Sequence, residues 1–142
     1  LKSLIFLLAY DNTMEKVEMH RVREALEASW KQDTAYQHVY EKGNPALGQC
    51  YPTSRVVQRY FPETKIARGF IWTGKSEEMH FWNILDIGGT IYHIDFSWRQ
   101  FPPGSSVVRW ALLSEDDPDS EATVKRIETL LKRVQDYIKN KT

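Results

Sequence analysis

The sequence predicts an α+β fold in which helices pack on an antiparallel sheet. Two stretches with apolar residues at helical spacing come first, a middle segment rich in β-branched and aromatic residues follows, and an amphipathic stretch closes the chain. Within the middle segment, residues 79–85 and 90–96 are separated by DIGG, which is typical of a hairpin turn. The sheet is therefore expected to be antiparallel at that point.

Composition limits the classes of protein to which the chain can belong. Its 142 residues are about the size of one domain, and 42% apolar with 27% charged residues is typical of a globular protein. The 19 basic and 19 acidic side chains balance, so net charge attracts neither nucleic acid nor an anionic membrane. A single cysteine cannot form an internal disulfide, which favours a reducing cytoplasm. We expect a small-molecule or peptide substrate, no nucleic acid or membrane partner, and an oligomeric state that composition leaves open.

The first residues, LKSLIFLLAY, carry a short apolar run after a lysine, as a secretory leader does. The run is too short to span a bilayer, and DNTMEK follows it without a small-x-small cleavage site. We therefore assign residues 1–13 to an N-terminal extension without a functional role. Residues 14–142 are expected to form a single α+β domain.

Helices and a loop are predicted for the first half of that domain. Residues 15–30 have a helical stripe of core residues, and the breaker-rich residues 31–49 suit a long ordered loop. Residues 51–61 resume the helical period, with Pro52 in the first turn and Pro62 as the stop.

Further elements are predicted before and after the hairpin. Residues 65–73 have strand composition, and the closing segment PDSEATVKRIETLLKRVQDYIKNKT is an amphipathic helix capped by Asp119 or Ser120. Its predicted apolar stripe consists of Val124, Ile127, Leu130, Leu131, Val134 and Ile138.

Cys50 stands at the predicted junction between the long loop and the second helix. Unpaired backbone N–H groups and the helix dipole at such a position favour the thiolate, which is the nucleophilic form of cysteine. The alternative is that Cys50 is a small buried apolar residue. A nearby base would favour the first interpretation.

His80 is the candidate base, because strand alternation places it on the same face as Asp95 of the next predicted strand. If Asp86 pairs with Gly89, His80 lies directly opposite Asp95. If the turn is centred on Gly88 and Gly89 instead, the two residues are diagonal neighbours on the same face. Either register predicts that the carboxylate can orient the imidazole, although an ordinary cross-strand hydrogen bond would look the same.

Cysteine, histidine and aspartate in this order meet the requirements of nucleophilic catalysis. His80 would take the thiol proton of Cys50 and later protonate the leaving group, while Asp95 would hold the imidazole in one tautomer. The expected reaction is attack on an amide or ester to give a thioester, resolved by water or by an amine. The alternatives are a binding module with an aromatic-rich cleft and a regulatory protein with a relict site.

Three short motifs resemble the YunG-like family of bacterial proteins: GQC at residues 48–50, HFWNIL at 80–85 and DFSWRQF at 95–101. The order of Cys50, His80 and Asp95 also resembles that of papain-like and transglutaminase-like enzymes. The resemblance implies a papain-like core with these three residues as the catalytic site. It does not imply one particular reaction. By analogy, Gln49 or Asn44 would help to bind an oxyanion.

Substrate contacts and cofactors complete the expectations. Trp82 and Asn83, which follow His80 in the chain, are the predicted substrate-binding residues. Cys50, His80, His93 and Asp95 lack the close paired spacing of metal ligands, and no Gly-rich phosphate loop is present. Neither a metal nor an organic cofactor is therefore expected.

Overall fold

The computed structural model describes residues 17–141, which form three α-helices and a four-stranded antiparallel sheet. The helices are α1 Met19–Ser29, α2 Cys50–Tyr60 and α3 Glu121–Asn140, and the strands are β1 Lys65–Trp72, β2 Glu77–Ile87, β3 Thr90–Ile94 and β4 Ser106–Leu112. Short 3₁₀ turns occupy Gln32–Thr34, Tyr36–His38 and Trp98–Gln100. The predicted α+β class is confirmed, whereas the extension 1–13 and the predicted helix start at residue 15 lie outside the described residues.

The sheet has the strand order β3-β2-β1-β4, and every neighbouring pair is antiparallel. Strand β4 was not predicted from the sequence. All seven of its residues are exposed. Neither face of β4 is buried, and its sequence, SVVRWAL, does not show the alternation of apolar and polar residues that is typical of a half-buried strand.

The hairpin between β2 and β3 has the second of the two expected registers. Ile87 pairs with Thr90, and Gly88 and Gly89 form the turn with φ of +60° and +89°. Positive φ at both central residues is what a two-residue hairpin turn of type I′ requires, and glycine adopts it without strain. The pairing of Asp86 with Gly89 is therefore wrong, because Asp86 pairs with Ile91.

Most of the core lies between the three helices and one face of the sheet. The stripes predicted for α1 and α2 are buried there, and Trp30 ties the two helices together by donating its Nε1–H to Thr53 Oγ1 at 2.9 Å. Ser120 caps α3 by accepting a hydrogen bond from the backbone N–H of Thr123, as predicted. Val124 is an exception to the predicted stripe, since 44% of it is exposed on the first turn of α3.

A second, smaller apolar cluster surrounds the indole of Trp82. It consists of Ala67, Ile71, Trp82, Ile84 and Phe101, with Trp98 packed against it. His80 shares the face of β2 that carries Trp82 and Ile84, so its imidazole lies in this apolar surrounding. Across the described residues, no helix combines the length and apolar character that crossing a bilayer requires.

Candidate active site

Cys50 is the first residue of α2, and its side chain is partly exposed. Pro52 follows in the first turn, where its missing N–H leaves no hydrogen bond unmade. The first backbone N–H groups of a helix have no acceptor within the helix, so Cys50 lies at an electropositive end. The predicted position of the thiol is confirmed.

The two residues before Cys50 hold the start of α2 against the preceding loop. Gly48 has φ of +75°, and a Cβ at this position would lie 2.6 Å from Val39 Cγ2. Its carbonyl accepts a hydrogen bond from the Tyr36 N–H at 2.9 Å. Gln49 is buried, donates from Nε2 to the Lys31 carbonyl and accepts from Thr34 Oγ1, each at 2.8 Å. The GQC motif thus positions the thiol in two ways: the backbone of Gly48 packs closely against Val39, and the buried side-chain amide of Gln49 is hydrogen-bonded to the preceding loop.

His80 and Asp95 are joined by a short hydrogen bond. His80 Nε2 lies 2.7 Å from Asp95 Oδ2, the ring is fully buried, and the carboxylate is 15% exposed. Asp95 Oδ1 accepts from the backbone N–H of Ser97 at 3.2 Å, which fixes the carboxylate just after β3. The diagonal relationship of the two residues across the hairpin therefore suffices for direct contact.

The imidazole of His80 is held on its faces and edges as well as at Nε2. Trp82 stacks at a centroid distance of 5.6 Å, and Phe101 meets the ring edge-to-face at 4.8 Å. Burial of the ring opposes protonation, but hydrogen bonds with Asp95 and Cys50, and their charges, outweigh it and raise the pKa of His80 to about 9. Because Asp95 occupies Nε2, the nitrogen that remains for the thiol is Nδ1.

A cleft of about 500 Å³ opens beside Cys50. Its walls are mainly apolar and come from the loop before α2 and from β2, through Tyr36, Val39, Leu47, Met79 and Phe81. Gln100 reaches it from the turn that follows Asp95, and Thr123 and Arg126 reach it from α3. This volume is within the range that holds a small ligand or part of a peptide.

The predicted oxyanion helpers have their amide groups bound to carbonyls. Gln49 donates to Lys31, as described above, and Asn44 Nδ2 donates to the Gln100 carbonyl at 3.0 Å. Asn44 Oδ1 is buried and has no hydrogen-bond partner among residues 17–141. Both residues therefore support the segments around the thiol in this structure.

The predicted substrate-binding residues Trp82 and Asn83 are almost fully buried and are not among the residues that line the cleft. Trp82 Nε1 donates to His93 Nδ1 at 2.9 Å. Asn83 Nδ2 donates to the Ser54 carbonyl at 3.0 Å and so links β2 to α2. Their observed contacts are structural ones.

Gln100 and Arg126 are cleft residues that sequence reasoning missed. Gln100 Nε2 lies 3.5 Å from His80 Nδ1, the ring nitrogen that Asp95 does not occupy, and donates to the Ser97 carbonyl at 3.2 Å. The sequence does place Gln100 in the DFSWRQF motif, five residues after Asp95. However, Gln100 lies in a 3₁₀ turn, and the number of residues that separates it from Asp95 does not predict where its side chain points. Arg126 could have been noticed as a charged residue beside the apolar stripe of α3.

Comparison with protein families shows that residues 18–139 match the model of the YunG protein. The chain belongs to the YunG family. The match includes all three motifs and nearly all of α3, so the C-terminal helix is part of the family unit. Neither the curated proteins nor the solved structures include a match to this YunG-family chain.

The three motifs, which all lie within the range matched by the YunG family, meet at one place in the structure. GQC supplies the thiol and its anchors, HFWNIL supplies His80 and the Asn83 link to α2, and DFSWRQF supplies Asp95, Gln100 and Phe101. Among residues 17–141, no three histidine, cysteine, aspartate or glutamate side chains are grouped as metal ligands. The residues of the three motifs thus bring together a thiol, an imidazole and a carboxylate.

Proposed function

We propose that the protein is a thiol acyl hydrolase or acyltransferase, with a papain-like or transglutaminase-like arrangement of Cys50, His80 and Asp95. The observation that carries the proposal is the hydrogen bond between His80 Nε2 and Asp95, which leaves Nδ1 of the ring for the thiol. Cys50 also contributes to the raised pKa of His80. Imidazole fixed between a carboxylate and a nucleophile is the geometry that activates thiols and hydroxyls in nucleophilic catalysis.

The first half of the proposed reaction acylates the thiol. The proton of Cys50 passes to His80, and the sulfur forms a bond to the carbonyl carbon of an amide or ester, whose oxygen becomes an oxyanion. The tetrahedral intermediate then collapses, the bond to the leaving nitrogen or oxygen breaks, and His80 returns the proton to the leaving group. The product is a thioester on Cys50.

The second half regenerates the enzyme. Water or an amine gives a proton to His80 and attacks the thioester carbon, and the bond from carbon to the Cys50 sulfur breaks as the second tetrahedral intermediate collapses. His80 then returns the proton to the sulfur, which restores the thiol. Asp95 accepts the Nε2–H hydrogen bond throughout and stabilises the imidazolium by its charge. The hydrophobic walls of the cleft limit the access of water, which favours reaction with a bound acceptor.

Two donors are available for the oxyanion. The backbone N–H of Cys50 belongs to the unpaired first turn of α2. The side-chain amide of Gln100 is the second donor that we propose, because it lines the cleft and lies beside His80 Nδ1. Its Nε2 donates one hydrogen to the Ser97 carbonyl at 3.2 Å, and its second hydrogen would serve the oxyanion. Gln49 and Asn44 remain candidates from the sequence, and the amide nitrogen of each also donates to one carbonyl.

Acylation by an activated ester tests the proposal directly. Mixing the protein with p-nitrophenyl acetate should release a burst of nitrophenolate equal to the protein concentration, with an acetyl adduct on Cys50 found by intact-mass and peptide analysis. His80→Gln should slow acylation by about 100-fold or more, the usual contribution of a general base. Cys50→Ser should abolish the thioester adduct.

His20→Gln is the matched control, because His20 lies exposed on α1 and is absent from the Cys50 cleft. It should react like the unchanged protein. Acylation of Cys50 at equal rates in the unchanged protein and in folded His80→Gln would contradict the proposal. That result would favour a binding or regulatory protein with a relict site.

A further inference from the structure

Arg126 differs from most arginines of the chain because it forms no ion pair with a carboxylate among the described residues. Six arginines have a carboxylate within 4.0 Å, namely Arg23, Arg55, Arg59, Arg99, Arg109 and Arg133. Among residues 17–141, no carboxylate lies that close to Arg126, and its Nε is buried without a hydrogen-bond partner. A guanidinium held in this way is ready to accept a carboxylate from outside the chain.

The surroundings fix the direction of this side chain. Arg126 Nη2 donates to Thr123 Oγ1 at 2.9 Å, and its guanidinium carbon lies 5.6 Å from the centre of the Tyr36 ring. Thr123, Arg126 and Tyr36 all line the cleft that opens beside Cys50. The positive charge is therefore a feature of the same cleft as the thiol.

Among residues 17–141, Asp119 is the one carboxylate that lines this cleft, and it already has partners. Asp119 accepts a hydrogen bond from the Tyr51 hydroxyl at 2.5 Å and lies 3.5 Å from Arg55 Nε. Arg55 also binds Glu115 at 2.9 Å, so the local charges sum to zero, but both oxygens of Asp119 are directed to Tyr51 and Arg55 rather than to Arg126. The remaining walls, from Val39, Leu47 and Phe81, are apolar.

We propose that Arg126 is the specificity residue for a carboxylate on the substrate, so that the cleft takes an amide or ester with an apolar portion that bears a carboxylate. This inference rests on the proposed function for the identity of the reacting group. A planar guanidinium binds a carboxylate through two parallel hydrogen bonds, and an apolar wall excludes the water that would weaken them. Thr123 holds the guanidinium in the orientation for that contact.

Binding of non-reactive ligands tests this inference without any chemistry. Phenylpropanoate and phenylpropanamide have the same apolar part and differ in the charge of the head group. In NMR titrations of the full chain, phenylpropanoate should bind at least about 10-fold more tightly than phenylpropanamide. Arg126→Gln should remove that preference and leave binding of the amide unchanged.

Two further variants keep the test decisive. Thr123→Val removes only the hydroxyl that orients the guanidinium, so it should reduce the preference even if Arg126→Gln fails to fold. Arg59→Gln makes the same change of charge at an exposed position paired with Glu128, and it should leave the preference intact. Equal binding of the two ligands, or no detectable binding of phenylpropanoate, would overturn the inference.

The outcomes separate this inference from the proposed function. Carboxylate binding that depends on Arg126, together with a thiol that p-nitrophenyl acetate does not acylate, would support the carboxylate site and contradict the enzyme. Acylation that depends on His80, together with no effect of Arg126→Gln on ligand binding, would contradict the carboxylate site alone.

Discussion

His80 Nε2 and Asp95 Oδ2 lie 2.7 Å apart across the hairpin, and the ring is fully buried while the carboxylate keeps some contact with solvent. The carboxylate is anchored from its other oxygen by Ser97. The pair is thus a fixed unit on one side of the thiol, and its two members can be changed separately.

Asp95→Asn should reduce the chemistry of the site far more than the stability of the fold. An amide in place of the carboxylate no longer selects the tautomer or stabilises imidazolium, so alkylation of Cys50 by iodoacetamide should slow by about 10-fold or more. The free energy of unfolding should fall by about 1 to 3 kcal/mol, the usual effect of disturbing one buried polar partner. Thiol kinetics and urea unfolding on the same sample measure both.

Asp116→Asn is the control for that experiment, since Asp116 is exposed in the loop before α3. It should change neither quantity. Unchanged alkylation in Asp95→Asn, combined with a large loss of stability, would show that Asp95 is structural and that the triad should be abandoned.

The pH dependence of stability should report the raised pKa of His80. The folded protein holds the proton up to about pH 9, whereas the ordinary pKa is 6.5, so protonation stabilises the fold fully below about pH 6.5. This contribution should disappear as pH rises from about 6.5 to about 9, with a loss on the order of 1 to 3 kcal/mol.

Urea unfolding of the unchanged protein and of His80→Gln between pH 6.5 and pH 9 measures the contribution of His80 as the difference between the two proteins. Over this pH range, the unchanged protein should lose more free energy of unfolding than His80→Gln does. Parallel curves for the two proteins would mean that His80 keeps its ordinary pKa in the folded state.

Gly48→Ala should destabilise the fold more than Gly43→Ala does. Both glycines have positive φ, of +75° and +83°, so the backbone strain of the substitution is similar. A Cβ on Gly48 would overlap Val39 Cγ2, while no atom in the described part of the chain lies within 4 Å of a Cβ on Gly43. The difference in the free energy of unfolding should be about 1 to 3 kcal/mol, typical of overpacking. Equal losses would show that the approach of Val39 is not tight.

Gln100→Leu should separate acyl transfer from alkylation. Alkylation by iodoacetamide develops no oxyanion, so its rate should stay within about 3-fold of the unchanged protein, whereas acylation by p-nitrophenyl acetate should slow by about 100-fold. Stopped-flow measurement of both reactions gives the ratio. Measuring the ratio of these two rates in Gln49→Leu and in Asn44→Leu tests the two oxyanion helpers predicted from the sequence. An equal fall of both rates in Gln100→Leu would indicate a disturbed thiol instead.

The positions that sequence predicted well are those with strong local signals. Pro52 and Pro62 place α2 within one residue of its observed bounds, and the two glycines of DIGG allow only a few hairpin registers. Residues whose role depends on tertiary packing were not found. Gln100 and Arg126 reach the cleft only because the turn after Asp95 and the start of α3 approach it in the folded chain. Strand β4 was missed because it is an exposed strand at the edge of the sheet, and its sequence therefore lacks a pattern of buried apolar residues.

Because Cys50 is the only cysteine, its modification rate can be followed through a denaturant titration without interference from a second thiol. A cysteine that is merely buried becomes more reactive when its protein opens. The thiol proposed here depends on three segments that unfolding separates, so at neutral pH it should become less reactive as the chain opens. The sign of that change would show whether the native state conceals this sulfur or activates it.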